Sequence, residues 1–139
     1  MKYLLLLALA GCGKSDLNFR PGYTTERLEE IIARFEVDFD AITAFEVVFV
    51  SQFAKPMPEN TIAACFRTGS LRRVEINPSL ENSIKLDTVV YHELGHCSLG
   101  LRHYEVESDI MNSIIRYNVI NNFEEYRLKM IENYAEGVY

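Results

Sequence analysis

The chain has 139 residues, a formal net charge of −6 at pH 7, and hydrophobic and aromatic contents of 48% and 12%. This length fits one domain, and the apolar content suffices to bury a core, so the composition argues against a second domain and against a disordered chain. The negative charge, with no run of Lys and Arg, argues against a nucleic-acid-binding surface.

The first twelve residues, MKYLLLLALAGC, have the layout of a secretory signal: a basic residue, a short apolar run, and small residues before a cysteine. The apolar run is too short to span a bilayer. Its end, LAGC, resembles the lipobox of bacterial lipoproteins, which implies cleavage before Cys12 and lipidation of that residue; an ordinary secretory signal or a core helix is the alternative. We therefore predict a lipoprotein signal peptide over residues 1–11 and a lipid-anchored tether over residues 12–23.

The same resemblance bears on localisation. The residues directly after Cys12 are Gly13 and Lys14 rather than Asp, which by the usual Gram-negative sorting signal favours the outer membrane. We predict an exported protein, anchored through lipid at Cys12 to the outer membrane or cell surface of a bacterium.

Residues 24–139 are predicted to form the folded domain, which begins with an amphipathic helix. Thr24 or Thr25 is a suitable N-cap, and apolar residues then recur at helical spacing through Phe35. A buried strand is predicted over Phe45–Val50, because this segment is rich in β-branched and aromatic residues. The two prolines of KPMPEN make the next segment a loop.

Two further strands are predicted over Thr61–Phe66 and Leu71–Ile76, joined by a turn over residues 67–70. Because the second of them interleaves charged and apolar residues, we expect it to lie near a sheet edge. Arg72 and Arg73 on this strand are interpreted as a solvated face, or as contacts for acidic side chains of a substrate.

A second helix is predicted after Asn82 or Ser83, with an apolar stripe that lies about 160° around the axis from His92; the stripe comprises Leu86, Val90, Leu94, Cys97 and Leu101. One side of this helix should face a core and the other should carry imidazole. A last helix is predicted to begin at Asn121 or Asn122 and to stop at Gly137.

The second helix contains the stretch HELGHCSLGLRH, which holds all three histidines of the chain. His92 and His96 are four residues apart and therefore neighbours on one helix face, where both can bind one ion. Glu93 is rotated by one step and reaches a metal-activated water as a general base. Zinc accepts neutral imidazole and, in catalytic sites, three protein ligands. Gly100 permits a left-handed turn that brings His103 back as the third ligand.

These residues resemble the metzincin clan of zinc metallopeptidases, whose signature is HExxHxxGxxH followed by a methionine turn. His92, Glu93, His96, Gly100 and His103 match it, and SDIMN supplies the turn at Met111, with a short connection like that of the matrix metalloproteases. The resemblance implies an α+β zincin domain with a three- to five-stranded mixed sheet, an active-site helix and a C-terminal helix. It also implies zinc, a hydrophobic floor at Met111, and hydrolysis of a peptide or protein substrate beneath an edge strand.

Two departures leave alternatives open. Three residues rather than two separate His96 from Gly100, so Asp109, Glu124 or Glu125 is an alternative to His103 as the third ligand. Ser113 stands where some metzincins have a tyrosine near the metal; Tyr117 either contributes late in the reaction or is a packed or surface residue.

Cys65 and Cys97 either form a disulfide or remain buried thiols, since sequence alone supplies no Cα separation. For the whole domain, the alternative to a peptidase is a non-catalytic zinc-binding surface lipoprotein or a degenerate, protease-like binding module. Glu93 favours the enzyme, because a structural zinc site has no need of a base beside its first histidine.

Overall fold

The structure is a computed structural model that describes residues 17 to 139. The predicted signal peptide and Cys12 lie outside these residues. Within them the fold is α+β, as predicted. Helix α1 spans Glu26–Phe39, and strands β1, β2 and β3 span Glu46–Phe49, Ala63–Thr68 and Leu71–Ile76. A 3-10 helix at Pro78–Leu80 precedes α2 (Leu86–Cys97), which is followed by α3 (Tyr117–Asn121) and α4 (Phe123–Ala135).

Helix α1 forms where the sequence predicts it. Thr25 caps it, because its side-chain oxygen accepts a hydrogen bond from the Leu28 N–H at 3.2 Å. The helix ends at Asp40, which adopts a left-handed conformation with φ 48°. Leu28, Phe35 and Phe39 lie on its buried face and pack in the core beneath α2.

The described strands form one mixed sheet in the order β1-β3-β2, with β1 parallel and β2 antiparallel to β3. The strand β3 is therefore central, and our prediction that it lies at an edge is wrong. Arg73 on β3 is also not solvated, since its side chain pairs with Glu75 at 3.1 Å and with Glu46 at 3.0 Å. Because Arg73 and Glu75 pair with each other, both charged side chains can be buried, and the last four residues of β3 are buried although the first two are exposed.

Strand β2 begins and ends two residues later than predicted. The turn to β3 is consequently shorter, and Gly69 adopts a left-handed φ of 59° within it. Arg67, which we assigned to the turn, instead lies on the strand. Since β2 pairs with β3 alone among the described strands, its other edge is unpaired beside α2.

Helix α2 packs against β2, β3 and α1. It begins at Leu86, so neither Asn82 nor Ser83 is its N-cap as predicted. The Ser83 hydroxyl instead accepts a hydrogen bond from the Lys85 N–H in a turn before the helix. Four of the five residues of the predicted apolar stripe are buried, whereas Leu101 lies beyond the end of the helix and is half-buried. His92 is buried as well, with 5% of its surface exposed, so the helix is enclosed on nearly every side. No described helix is long and apolar enough to cross a membrane.

The ends of the described chain contact this framework. Residues 18–23, which we assigned to the tether, lie against the sheet: the Asn18 N–H donates to the Ala54 carbonyl, and Tyr23 pairs with Phe49 in an antiparallel bridge. Helix α3 was not predicted. Helix α4 begins at Phe123, close to its predicted start, and Gly137 follows its end with φ 69°, as predicted.

Candidate metal centre

Helix α2 places His92 and His96 one turn apart, with their Nε2 atoms 3.1 Å from each other. His103 approaches from the following loop, and its Nε2 lies 3.3 Å from that of His92. The three ligand nitrogens all lie within 4.8 Å of one another. Two nitrogens bound tetrahedrally to zinc at its usual bond length are about 3.3 to 3.4 Å apart, so this spacing fits zinc.

Backbone carbonyls orient two of the rings. The Nδ1 of His92 lies 2.6 Å from the Ile110 carbonyl, and the Nδ1 of His96 lies 2.6 Å from the Leu101 carbonyl. Because a carbonyl only accepts, each Nδ1 carries the proton and donates it, which leaves the Nε2 lone pair for a metal.

Burial favours the neutral form of these imidazoles, which is the form that binds metal. It lowers the pKa of His92 to about 4, against an opposing hydrogen bond to Ile110. Burial also lowers the pKa of His96. His92 and His96 therefore offer neutral nitrogens, which suit zinc.

The loop from Ser98 to His103 accommodates the extra residue that separates the chain from the metzincin pattern. Leu99 donates its N–H to the Leu94 carbonyl at 3.3 Å, five residues back, so the last helical turn is widened. Gly100 then adopts φ 69°, and the Leu101 N–H bonds to the Gly95 carbonyl at 2.9 Å. The chain reverses there and returns His103 to the other two histidines.

The alternative ligands are engaged elsewhere. The Asp109 carboxylate accepts hydrogen bonds from the Met111 N–H at 2.7 Å and from the Tyr139 hydroxyl at 2.9 Å. Glu124 pairs with Arg127 at 3.0 Å. Glu125 lines a different surface cleft, between α2 and α4. None of the three belongs to the group of potential metal ligands found among the described residues.

Glu93 lines the same cleft as the three histidines, which has a volume of about 500 Å³. Burial raises the pKa of its carboxyl group to about 7, and a hydrogen bond from the Cys65 backbone opposes the shift. A cation at the imidazole nitrogens would favour the ionised carboxylate, which is the form required of a base.

Met111 is completely buried and lies next to Gly95 of α2. A Cβ atom added to Gly95 would lie 2.5 Å from the Met111 Sδ and 3.2 Å from the Met130 Cε. Gly95 is therefore what lets α2 approach the methionine, a function that our sequence interpretation missed. The available signal was its position, because glycine inside a helix costs about 1 kcal/mol relative to alanine and so calls for a packing reason.

Gly95→Ala is expected to destabilise the domain by about 1 to 2 kcal/mol, because overpacking outweighs the gain in helix propensity. Chemical denaturation measures the effect, and the same change in a Met111→Ala background is the control. There the added methyl has room, so it should cost nothing or stabilise. Equal losses in both backgrounds would show that the contact with Met111 is not the cause.

Cys65 and Cys97 form a disulfide, with Cα atoms 5.7 Å apart. The disulfide joins β2, the strand with the unpaired edge, to Cys97 of α2, which directly follows His96. The cross-link spans 32 residues of sequence, a loop for which the chain-entropy model gives about 3 to 4 kcal/mol of stabilisation. One wall of the cleft is thus tied covalently to the helix that carries two histidines.

Two residues singled out in the sequence lie away from the cleft. Tyr117 is 72% exposed and lies beside Lys85 rather than lining the site. The Ser113 hydroxyl donates to Glu105 at 2.9 Å. Tyr117 is therefore a surface residue, which was one of the alternatives, and neither side chain adds a donor to the metal centre.

The family model described as Matrixin matches residues 22–131, which include the three histidines, Glu93 and Met111. No curated protein and no solved structure matches the chain.

Proposed function

The chain belongs to the Matrixin family, and from this premise we propose that it is a zinc-dependent endopeptidase that hydrolyses internal bonds of a peptide or protein substrate. Its folded part is a zinc metallopeptidase-like domain. The observation that carries the proposal is the convergence of three imidazole nitrogens beside a glutamate in one cleft.

The number of ligands favours catalysis over a structural zinc site. Structural sites are usually closed by four protein ligands, whereas a catalytic site has three and keeps one position for water or substrate. Among the described residues, the metal-ligating group contains three histidines and no fourth donor. When bound, zinc supplies Lewis acidity, which lowers the pKa of water and polarises a carbonyl oxygen.

Glu93 is the group that moves protons in this proposal. Its carboxylate accepts a proton from the attacking water and then delivers it to the nitrogen of the leaving amine. Helix geometry separates proton transfer from metal binding, because Glu93 is one residue from His92 and so points away from the ligand nitrogens. The cleft, partly enclosed by β2, brings this carboxylate and the ligand set to one substrate.

The unpaired edge of β2 is the surface that we assign to the substrate backbone. Ala63, Ala64 and Cys65 on this strand line the cleft. An extended peptide can add to such an edge through main-chain hydrogen bonds, which presents its scissile carbonyl to the metal centre. The disulfide keeps this edge at a fixed distance from α2.

A mixed peptide library incubated with the purified protein tests the activity. Cleavage is expected with zinc bound, should disappear after dialysis against a chelator, and should return when zinc is added back. Stoichiometric zinc with no cleavage of any peptide would contradict the enzyme and favour the non-catalytic binding module.

We further propose that the protein is an exported lipoprotein anchored through Cys12. The proposal rests on the lipobox-like LAGC, and the disulfide supports an oxidising compartment outside the cytoplasm. Labelled fatty acid should be incorporated by the wild-type protein in a bacterial host and not by Cys12→Ala. An unlabelled wild-type protein would contradict the anchor.

A further inference from the structure

Two arginines line the cleft beside the three histidines. Arg67 lies on β2 and Arg102 lies in the loop between Gly100 and His103, and both side chains are exposed. Among the described residues that line the cleft, Glu93 is the single acidic one. The lining of the cleft thus carries two arginines against one carboxyl group, although the chain as a whole carries a formal charge of −6.

Arg67 is held in place by the helix that carries the metal ligands. Its guanidinium donates a hydrogen bond to the His96 carbonyl at the end of α2. Alternation along the strand puts Arg67 on the same face as Cys65, whose disulfide fixes β2 to α2. A guanidinium has five N–H donors, so this one bond leaves donors for a ligand in the cleft.

Arg102 makes no hydrogen bond or ion pair with any residue between 17 and 139 in the structure. It directly precedes His103, whose Nε2 faces the other two histidines. By contrast, Arg27, Arg34, Arg73, Arg116 and Arg127 all form ion pairs within the described chain. An arginine left unpaired at the rim of a cleft has its charge available to whatever enters.

We propose that Arg67 and Arg102 bind a carboxylate of the substrate, so that the cleft selects acidic peptides. The planar guanidinium matches a carboxylate through paired hydrogen bonds. The remaining lining of β2, Ala63 and Ala64, is small and gives little discrimination between side chains. The charge of the two arginines is therefore the strongest selective feature of the cleft. The carboxylate comes either from an Asp or Glu side chain or from the C-terminus of the peptide.

Binding can be tested apart from cleavage, although the inference rests on the proposed function for the identity of the ligand as a peptide. The probe is the zinc-loaded Glu93→Gln variant, titrated with four octapeptides: one with a central Glu and an amidated C-terminus, its Gln counterpart, the Gln peptide with a free C-terminus, and a Lys peptide. We expect the Glu peptide to bind about tenfold more tightly than the amidated Gln peptide, and the difference to shrink as salt screens the charges.

The free C-terminus separates the two sources of the carboxylate. Tighter binding of the Gln peptide with a free C-terminus than of the Glu peptide would assign the arginines to the chain end. The reverse order would assign them to an acidic side chain. Equal binding of all four peptides would overturn the proposal.

Arginine variants in the same Glu93→Gln background identify the groups responsible. Arg102→Gln should reduce the ratio of the Glu to the Gln affinity, and Arg102→Glu should shift the preference toward the Lys peptide. Arg67→Gln should also reduce the ratio and Arg67→Lys should restore part of it, with zinc content measured for each because Arg67 contacts the His96 carbonyl. Lys129→Gln on α4 is the charge-matched control.

The two proposals fail in different ways. A preference for acidic peptides that survives in Arg102→Gln and Arg67→Gln but disappears in Lys129→Gln would overturn the assignment to the cleft. Zinc-dependent binding of acidic peptides without cleavage by the wild-type protein would leave this inference standing and remove the peptidase. Cleavage without any charge preference would support the peptidase and overturn the assignment of the two arginines.

Discussion

Glu93→Gln is expected to lower kcat/KM for peptide hydrolysis by about 10²- to 10⁴-fold, which is the usual contribution of general acid–base catalysis. The amide has nearly the shape of the carboxylate but cannot accept the proton of the attacking water. Zinc content should stay at one per chain, because the ligand nitrogens belong to His92, His96 and His103. Initial rates on a cleaved library peptide, together with metal analysis, measure both effects.

Glu132→Gln provides the matched control, since it removes the same charge from an exposed position on α4 that does not line the cleft. It should leave rates and zinc content unchanged. Chelator-sensitive hydrolysis at wild-type rates in Glu93→Gln would take Glu93 out of the mechanism.

His103→Ala is expected to weaken zinc binding by more than about 100-fold, because even loss of a hydrogen-bond partner behind a metal ligand typically costs 10- to 100-fold. Two nitrogens from one helix turn then remain, which is one fewer than known catalytic zinc sites use. Hydrolysis should fall with the metal and recover partly at high zinc concentration. Competition with a chromophoric chelator gives the affinity.

Glu125→Gln is the control for this ligand, because Glu125 was one of the alternatives to His103 in the sequence and lies exposed in another surface cleft. Its zinc affinity should match that of the wild type. Unchanged affinity in His103→Ala combined with a loss in Glu125→Gln would move the third ligand to α4.

Much of the metal centre could be predicted because it depends on residues that are close to one another in the sequence. The spacing of His92 and His96 follows from helix periodicity, and Gly100 takes the left-handed conformation that a reversal requires. What local spacing left open was the effect of the extra residue before Gly100. The widened last turn, closed by the Leu99 N–H on the Leu94 carbonyl, resolves it, and such a bond leaves no mark in the residue pattern.

The errors arise where distant residues decide the outcome. The charges of Arg73 and Glu75 suggested an edge strand, yet the two side chains pair with each other, and Arg73 also pairs with Glu46 of β1. Glu75 also accepts the Ala54 N–H at 2.7 Å, across a loop. Ala54 and Glu46 are 21 and 27 residues away from their partners on β3 (75 − 54 and 73 − 46). Alternation along β3 alone therefore did not reveal the burial.

The disulfide and Gly95 share this dependence on tertiary structure. Cys65 and Cys97 are 32 residues apart, and only the approach of β2 to α2 brings their Cα atoms to 5.7 Å. Likewise, the reason for a glycine at position 95 is the sulfur of Met111, sixteen residues further along the chain (111 − 95). The disulfide and Gly95 both lie close to the metal ligands, so the residues that support the site were less predictable than the ligands themselves.

A crystal structure of the zinc-loaded protein tests the central claim most directly. We expect one ion bound by the Nε2 atoms of His92, His96 and His103 at about 2.0 to 2.1 Å, with a water molecule in the fourth position. A fourth protein ligand closing the site, or His103 turned away with the ion held by other residues, would contradict the account.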